Sequence, residues 1–339
     1  MKFILTFSLA SLSLFGLLYG LIISVDPYNK LGNNLFGFET KAVDFARENK
    51  FNQIEHTSKN YEAFIIGSST AHRFETQELE KLTTFKSYNY AVQSATPEDY
   101  LAITRHILTK KSPKMVIFFP EFYGMNKKVE ADDMFFSSPL KNYLKNVSSS
   151  ADVQEADWAF FKKSYVTTAA LNDTMKVIFV NSFGKAQHTY LEDGDHIYEK
   201  PKHGEAIPVT QYSYPDFEMS QERISYLEEM KKLLDEKGVK IVVITSPLSY
   251  EHLLKIDQDP HLKLELEKFK TTMTDIFGEI YDINDLEIMA QYNSSEFYFD
   301  SNHPTFEFSR TIMESVLGKD QKLSRFFKKR GKDKVVSTF

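Results

Sequence analysis

The sequence predicts an α/β protein: one doubly wound parallel sheet of five strands, helices on both faces, and a single apolar helix in front. Three observations carry this. Short apolar runs alternate with stretches of helical period from residue 61 onward. Apart from Lys86 to Val92, which alternates and ends in apolar residues, the runs are continuous, as strands buried on both faces require. Phe3 to Val25 holds no charged residue.

That first segment reaches about 35 Å as a helix, enough to cross a bilayer with some tilt. No small-x-small cleavage pattern follows it, since the exit reads Leu-Ile-Ile-Ser-Val-Asp-Pro-Tyr. An uncleaved anchor is therefore expected over 1–25 rather than a signal peptide. Lys2 precedes it and Lys30 and Lys41 follow, so the positive-inside rule barely discriminates. An N-terminal anchor with one large trailing domain usually exports that domain, which places the globular part outside the cytoplasm.

Residues 26–60 read as a stalk with a polar helical stretch. The first strand follows at Ala63-Phe64-Ile65-Ile66, ending in Gly67-Ser68-Ser69-Thr70. Lys86 to Val92 is a second strand. Pro97-Glu98-Asp99 opens a helix to about Lys110, with acids at its positive end. Lys114 to Phe119 is a third strand. After a helix over about 220–237, closed by Gly238, come a fourth strand at Val239–Thr245 and, beyond another helix, a fifth at Ile280–Ile283. The last helix opens at Pro304 and ends near Leu317. Alternating strands and helices imply right-handed crossovers and one sheet. The segment 124–216 is too long for an ordinary crossover. Its aromatics (Phe135, Phe136, Tyr143, Trp158, Phe160, Phe161, Tyr165) predict a largely helical insertion packed over the sheet's edge.

Composition narrows the function. Of 339 residues, 42% are hydrophobic and 26% charged, which fits a folded chain with one large core or two modest ones. The net charge of −6 is uneven: 319–339 carries eight Lys/Arg against Asp320 and Asp333, so the remainder carries −12. An acidic body argues against a nucleic-acid partner, and the basic tail reads as a solvated, frayed end. The absence of cysteine excludes a disulfide framework, thiolate zinc sites and a cysteine nucleophile. His188, His196 and His203 match no metal template, and no cofactor or metal is expected.

The chemistry is expected at the carboxyl ends of the strands, where open α/β sheets bind ligands. Ser69 lies there, and a serine hydroxyl needs an adjacent base to act as a nucleophile. His303 is the candidate base, with Asp300 one turn earlier to orient it. His72, three residues past Ser69, is the rival base, but a neighbour on the following helix usually points elsewhere.

These blocks resemble the SGNH, or GDSL-type, hydrolase superfamily. Ile66-Gly67-Ser68-Ser69 resembles its first block, with Ser69 in the nucleophile's place and Ser68 replacing the usual aspartate. Asp300-Ser301-Asn302-His303-Pro304 resembles its last. Tyr88 to Pro97 is similar to the second, but Ser94 stands where the family has its oxyanion-hole glycine. The third block is absent, the strand ending instead in Phe119-Pro120-Glu121-Phe122-Tyr123. The Gly-Ser-Ser form is similar to the membrane-anchored branch that includes teichoic-acid D-alanyl esterases and alginate O-acetylation proteins.

The resemblance implies a flavodoxin-like three-layer sandwich over 61–318, interrupted by the insertion 124–216, with 319–339 as a tail. It implies a Ser69–His303–Asp300 triad. The Ser69 and Ser94 backbone N–H groups are the expected oxyanion donors, with Asn126 as a third. Glu121 cannot donate when ionised and would repel an oxyanion. The expected partners are an acylated envelope glycan or acyl donor, the membrane through the N-terminal helix, and a membrane-bound acyltransferase. The expected function is a serine esterase or O-acyltransferase. The rival is a non-catalytic envelope component of the same fold that binds a glycan or a partner protein, a reading the altered middle blocks favour.

Overall fold

The computed structural model describes residues 2–27, 35–38, 46–131, 135, 138–144, 165, 167–183, 189–197, 214, 216–293, 296–300, 302–318, 327–331 and 334–336. In chain order the elements are α1 (Lys2–Val25), α2 (Ala46–His56), β1 (Ala63–Gly67), α3 (Thr76–Thr83), β2 (Ser87–Asn89), α4 (Pro97–Lys110), β3 (Met115–Phe119), α5 (Lys141–Leu144) and α6 (Thr168–Phe183). Then follow β4 (Thr189–Tyr190), β5 (His196–Ile197), α7 (Gln221–Glu236), β6 (Lys240–Val243), α8 (Tyr250–Gln258), α9 (Pro260–Phe277), β7 (Glu279–Asp282), α10 (Leu286–Ala290), α11 (Phe306–Leu317), β8 (Lys328–Gly331) and β9 (Lys334–Val336). The chain divides into two units: Met1–Phe45 with Val147–Thr189 and Ile197–Glu199, and Ala46–Asn146 with Tyr190–His196 and Lys200–Phe339.

The larger unit is α/β. Its parallel sheet has four strands in the order β2-β1-β3-β6. Every residue of β1 and of β3 is buried, which is why both read as unbroken apolar runs. Gly67 ends β1 where a Cβ would come within 2.6 Å of the Ala71 Cβ and 2.9 Å of the Phe119 Cβ. Only glycine lets the chain turn there.

The expected fifth strand is present but does not join this sheet. Beside β6, β7 makes one isolated parallel bridge, Ile244 to Tyr281, with Thr245 N–H donating to the Tyr281 carbonyl at 3.0 Å. Pro247, without an N–H, cannot extend that ladder. The other edge of β7 pairs antiparallel with β8, which pairs with β9. The basic tail is therefore not a frayed end over these residues. Lys328 reaches Asp285 at 2.5 Å and Arg330 reaches Asp282 at 2.9 Å, charge partners that a pattern along the sequence does not reveal.

The stalk expectation also changes. Ala46 to Asn60 belongs to the α/β unit, and α2 buries Arg47, Lys50 and Ile54. The Lys50 ammonium donates to the carbonyls of Asn89 and Ala91, both at 2.8 Å. Arg47 forms a buried pair with Asp99, Nε to Oδ1 2.7 Å, and donates to the Gln93 carbonyl at 2.8 Å. Two charges that looked solvated instead tie α2 to the segment after β2.

Within the insertion, α5 and α6 are helical, while Phe136, Trp158, Phe160, Phe161, His188 and His203 lie outside the described residues. The turn Leu191–Asp195 covers the outer edge of β2, where Asn89 N–H donates to the Asp193 carbonyl at 2.8 Å. A covered edge cannot template pairing with another chain.

In the smaller unit, α1 and α6 meet at Val25 and Val177, with Leu21, Phe38 and Ile178 around them. Asp26, the first charge after the apolar run, is buried and accepts the Tyr165 hydroxyl. Thr6–Val25 spans 20 residues and reaches a mean hydropathy of 2.0 in its most apolar stretch, long and apolar enough to cross a membrane.

Candidate active site

Ser68 and Ser69 follow directly from β1. Ser68 caps a short 3₁₀ turn, Ser69–Arg73, its hydroxyl accepting from Thr70 N–H at 3.4 Å. The turn presents Ser69 at the carboxyl rim of the sheet. His303 comes to the same rim from the other end of the unit, on the segment before α11. That segment is held by Phe299 N–H donating to the His303 carbonyl at 2.9 Å and Thr305 N–H to the Phe297 carbonyl at 2.8 Å. Thr70 Oγ1 donates to the Asn302 carbonyl at 3.4 Å, linking the two segments directly.

The Ser69 hydroxyl lies 2.8 Å from His303 Nε2. On the other side of the ring, Nδ1 lies 2.7 Å from Asp300 Oδ2. Ionised carboxylates only accept, so Nδ1 carries the proton and Nε2 is free to accept from Ser69. Spacing explains the aspartate's place: its Oδ1 accepts from the N–H groups of Asn302 and His303, at 2.8 and 2.9 Å. One carboxylate thus folds its own turn and orients the imidazole. Burial alone pushes the Asp300 carboxyl up, but the His303 imidazole and these two N–H groups outweigh it and hold it below its ordinary value.

Ser69 opens onto a cavity of about 140 Å³, lined also by Ser94, Glu121, Tyr123, Tyr214, Leu248 and His252. Ser94 has φ +49°, the left-handed conformation that glycine adopts without strain. Among the described residues, neither the Ser69 nor the Ser94 backbone N–H donates within the protein. Asn126 sits elsewhere. It is fully buried and does not line the cavity; its Oδ1 accepts from Lys128 N–H at 3.0 Å and Glu218 N–H at 3.3 Å. Its position shortly after β3 placed it near the rim in sequence, but a bridge to Met219 turns it inward. The third donor is therefore missing from this residue. No family model matches this chain, and no curated protein does.

His72 is buried and donates Nε2–H to the Ala91 carbonyl at 2.8 Å, which leaves it no part at Ser69. Glu121 is at the rim, as its place after β3 implies, and accepts the Ser68 hydroxyl. His252 was not foreseen. It stands in the first turn of α8, capped by Ser249, and a polar residue just after a β6 run that ends in a cap was the available signal. Tyr214 OH donates to its Nε2 and its Nδ1 donates to Asn302 Oδ1, both at 2.6 Å. This chain of bonds braces the turn that carries His303.

Proposed function

We propose that the protein is a membrane-anchored, SGNH-type serine esterase or O-acyltransferase acting on small acyl esters of a cell-envelope polysaccharide outside the cytoplasm. The observation that carries this reading is the unbroken Ser69–His303–Asp300 hydrogen-bond chain, made by residues from opposite ends of the α/β unit. Ser69 Oγ attacks the ester carbonyl as its proton passes to His303 Nε2. The oxyanion takes the Ser69 and Ser94 N–H groups. As the tetrahedral intermediate collapses, the imidazolium gives its proton to the departing alcohol oxygen and the C–O bond breaks. Water, or a sugar hydroxyl, then enters by the same steps in reverse and frees Ser69.

Cavity size supports a short acyl group. About 140 Å³ is close to the engineered cavity of ~150 Å³ that takes benzene in another protein, room enough beside Ser69 for a short acyl group. The tyrosines at its wall are suited to a sugar. The alternative, a non-catalytic glycan-binding component, draws on one observation: Asn126 supplies no third oxyanion donor, and one such donor contributes about 2.7–4 kcal/mol.

The deciding experiment is labelling with a fluorophosphonate. Wild type is expected to label and Ser69→Ala is not. Labelling that persists in Ser69→Ala removes Ser69 from the mechanism, and a wild type that stays unlabelled selects the binding component.

A further inference from the structure

Four large apolar side chains of the smaller unit stand more than half exposed near the end of α1. Leu35 is 76% exposed, Phe36 56%, Met175 51% and Phe179 63%. Their position along α1 is defined. Leu35 N–H donates to the Ser24 carbonyl at 3.0 Å, so Leu35 and Phe36 lie beside the last turn of the helix. Phe36 stacks on Phe38, ring centroids 5.4 Å apart, and Phe38 packs on Val25 and Val177. Val177 is buried at the level of Leu21 and Val25. Met175 and Phe179 flank it by two residues each way, about 3 Å along the axis, and one turn apart they share a face of α6.

This level has a physical meaning. The 20 residues Thr6–Val25 make a helix of about 30 Å, the thickness of a bilayer's hydrocarbon core. Leu21–Val25 then sits where hydrocarbon meets headgroups. The exposed side chains at that level continue the apolar surface of α1 itself, where Leu14, Phe15 and Leu17 are 59%, 60% and 73% exposed. The first charge beyond it, Asp26, is withdrawn into a bond with Tyr165. Lys176, on the exposed face of α6, pairs with Asp173 at 3.0 Å, and its long stem lets the ammonium reach headgroup phosphates.

We infer that Leu35, Phe36, Met175 and Phe179 form a collar that sinks into the lipid leaflet from which α1 emerges, making the smaller unit a second membrane contact. The inference rests on α1 crossing the bilayer. It explains why large apolar groups, normally scattered on a soluble surface, gather here. Interfacial burial of this kind binds through apolar area and attraction to anionic lipid. The collar fixes how deep the unit sits, which a single spanning helix does not.

The cysteine-free sequence makes the test direct. Single variants Phe36→Cys, Met175→Cys and Phe179→Cys of the full chain are labelled with an environment-sensitive fluorophore. They are reconstituted in phosphatidylcholine–phosphatidylglycerol vesicles. Leu14→Cys reports the span, and Lys232→Cys, whose side chain is 74% exposed on α7, reports water. The three collar labels are expected to be quenched by shallow spin-labelled lipid and protected from aqueous iodide, with Leu14→Cys quenched by deep spin-labelled lipid. Collar labels quenched by iodide while Leu14→Cys stays deep overturn the collar and leave the span intact. Iodide quenching at all positions overturns the span and the collar together. Collar labels shielded from both quenchers show a protein partner in place of lipid and also overturn it.

Discussion

The Ser68 hydroxyl donates to the Glu121 carboxylate, joining the end of β1 to the segment after β3 beside the candidate nucleophile. The pair puts a negative charge into the wall of a cavity whose lining, among the described residues, includes no lysine or arginine. An acyl group that is itself anionic is disfavoured there, since a unit charge several ångströms away costs on the order of 1–3 kcal/mol at an effective dielectric near 20.

Glu121→Gln keeps an acceptor for Ser68 and removes the charge. The ratio of kcat/KM for an anionic acyl ester over a neutral acetyl ester is expected to rise about tenfold, equivalent to ~1.4 kcal/mol. Hydrolysis of the paired p-nitrophenyl esters measures it. An unchanged ratio removes Glu121 from acyl selection.

At Ser94 the backbone is left-handed, φ +49°, which costs a residue with a Cβ about 1–2 kcal/mol. Ser94→Gly relieves that strain but adds unfolded-state entropy of about 0.5–1 kcal/mol. Chemical denaturation is expected to find it within about 1 kcal/mol of wild type, with labelling at Ser69 retained. Ser94→Val, β-branched in the same conformation, is expected to lose about 2 kcal/mol or more and to label more slowly.

Asp300→Asn leaves the turn's shape but lets the other tautomer of His303 form. A loss in kcat of about 10³–10⁴ with little change in KM is expected, as for the aspartate of other Ser-His-Asp sites. Because the Asp300 carboxyl is held below its ordinary value, its contribution to stability is present above about pH 4 and lost as pH falls through the folded value. Thermal melts at acidic pH on wild type and Asp300→Asn check the sign: the difference between them is expected to shrink as pH drops.

The turn over β2 behaves oppositely. Burial, then the neighbouring Asp193 carboxylate, push Asp195 up to about 7, while Thr76 N–H, 2.9 Å from its Oδ2, and Lys50 pull the other way. A raised carboxyl binds its proton more tightly folded than unfolded, so stability falls as pH rises from about 4 to about 7 and is flat beyond. The span is on the order of a few kcal/mol. Asp195→Asn is expected to abolish this slope in melts across that range. Hydrogen exchange at Asn89 N–H, which bonds the turn's Asp193 carbonyl, is expected to quicken in wild type at the upper end. A slope that survives Asp195→Asn assigns it to other groups.

Much of the architecture was legible along the chain because it is written in local chemistry. Continuous apolar runs mark β1 and β3. The charge-free start marks α1. Small polar residues after β1, and an Asp-x-x-His turn before α11, mark two sheet-end junctions, and parallel topology brings such junctions to one rim.

What the sequence by itself determined, then, is the apolar helix α1, the strands β1, β2, β3, β6 and β7, the helices α4, α7, α9 and α11, and the polar turns after β1 and before α11. The tertiary structure alone decided that β7 pairs with the basic tail, that Arg47 is buried against Asp99 and Lys50 against the Asn89 and Ala91 carbonyls, that Asn126 faces inward, and that Glu121 meets Ser68. Periodicity and turn chemistry act over a few residues, whereas each of these depends on a partner far away in the chain, chosen by packing and charge only once the core has closed.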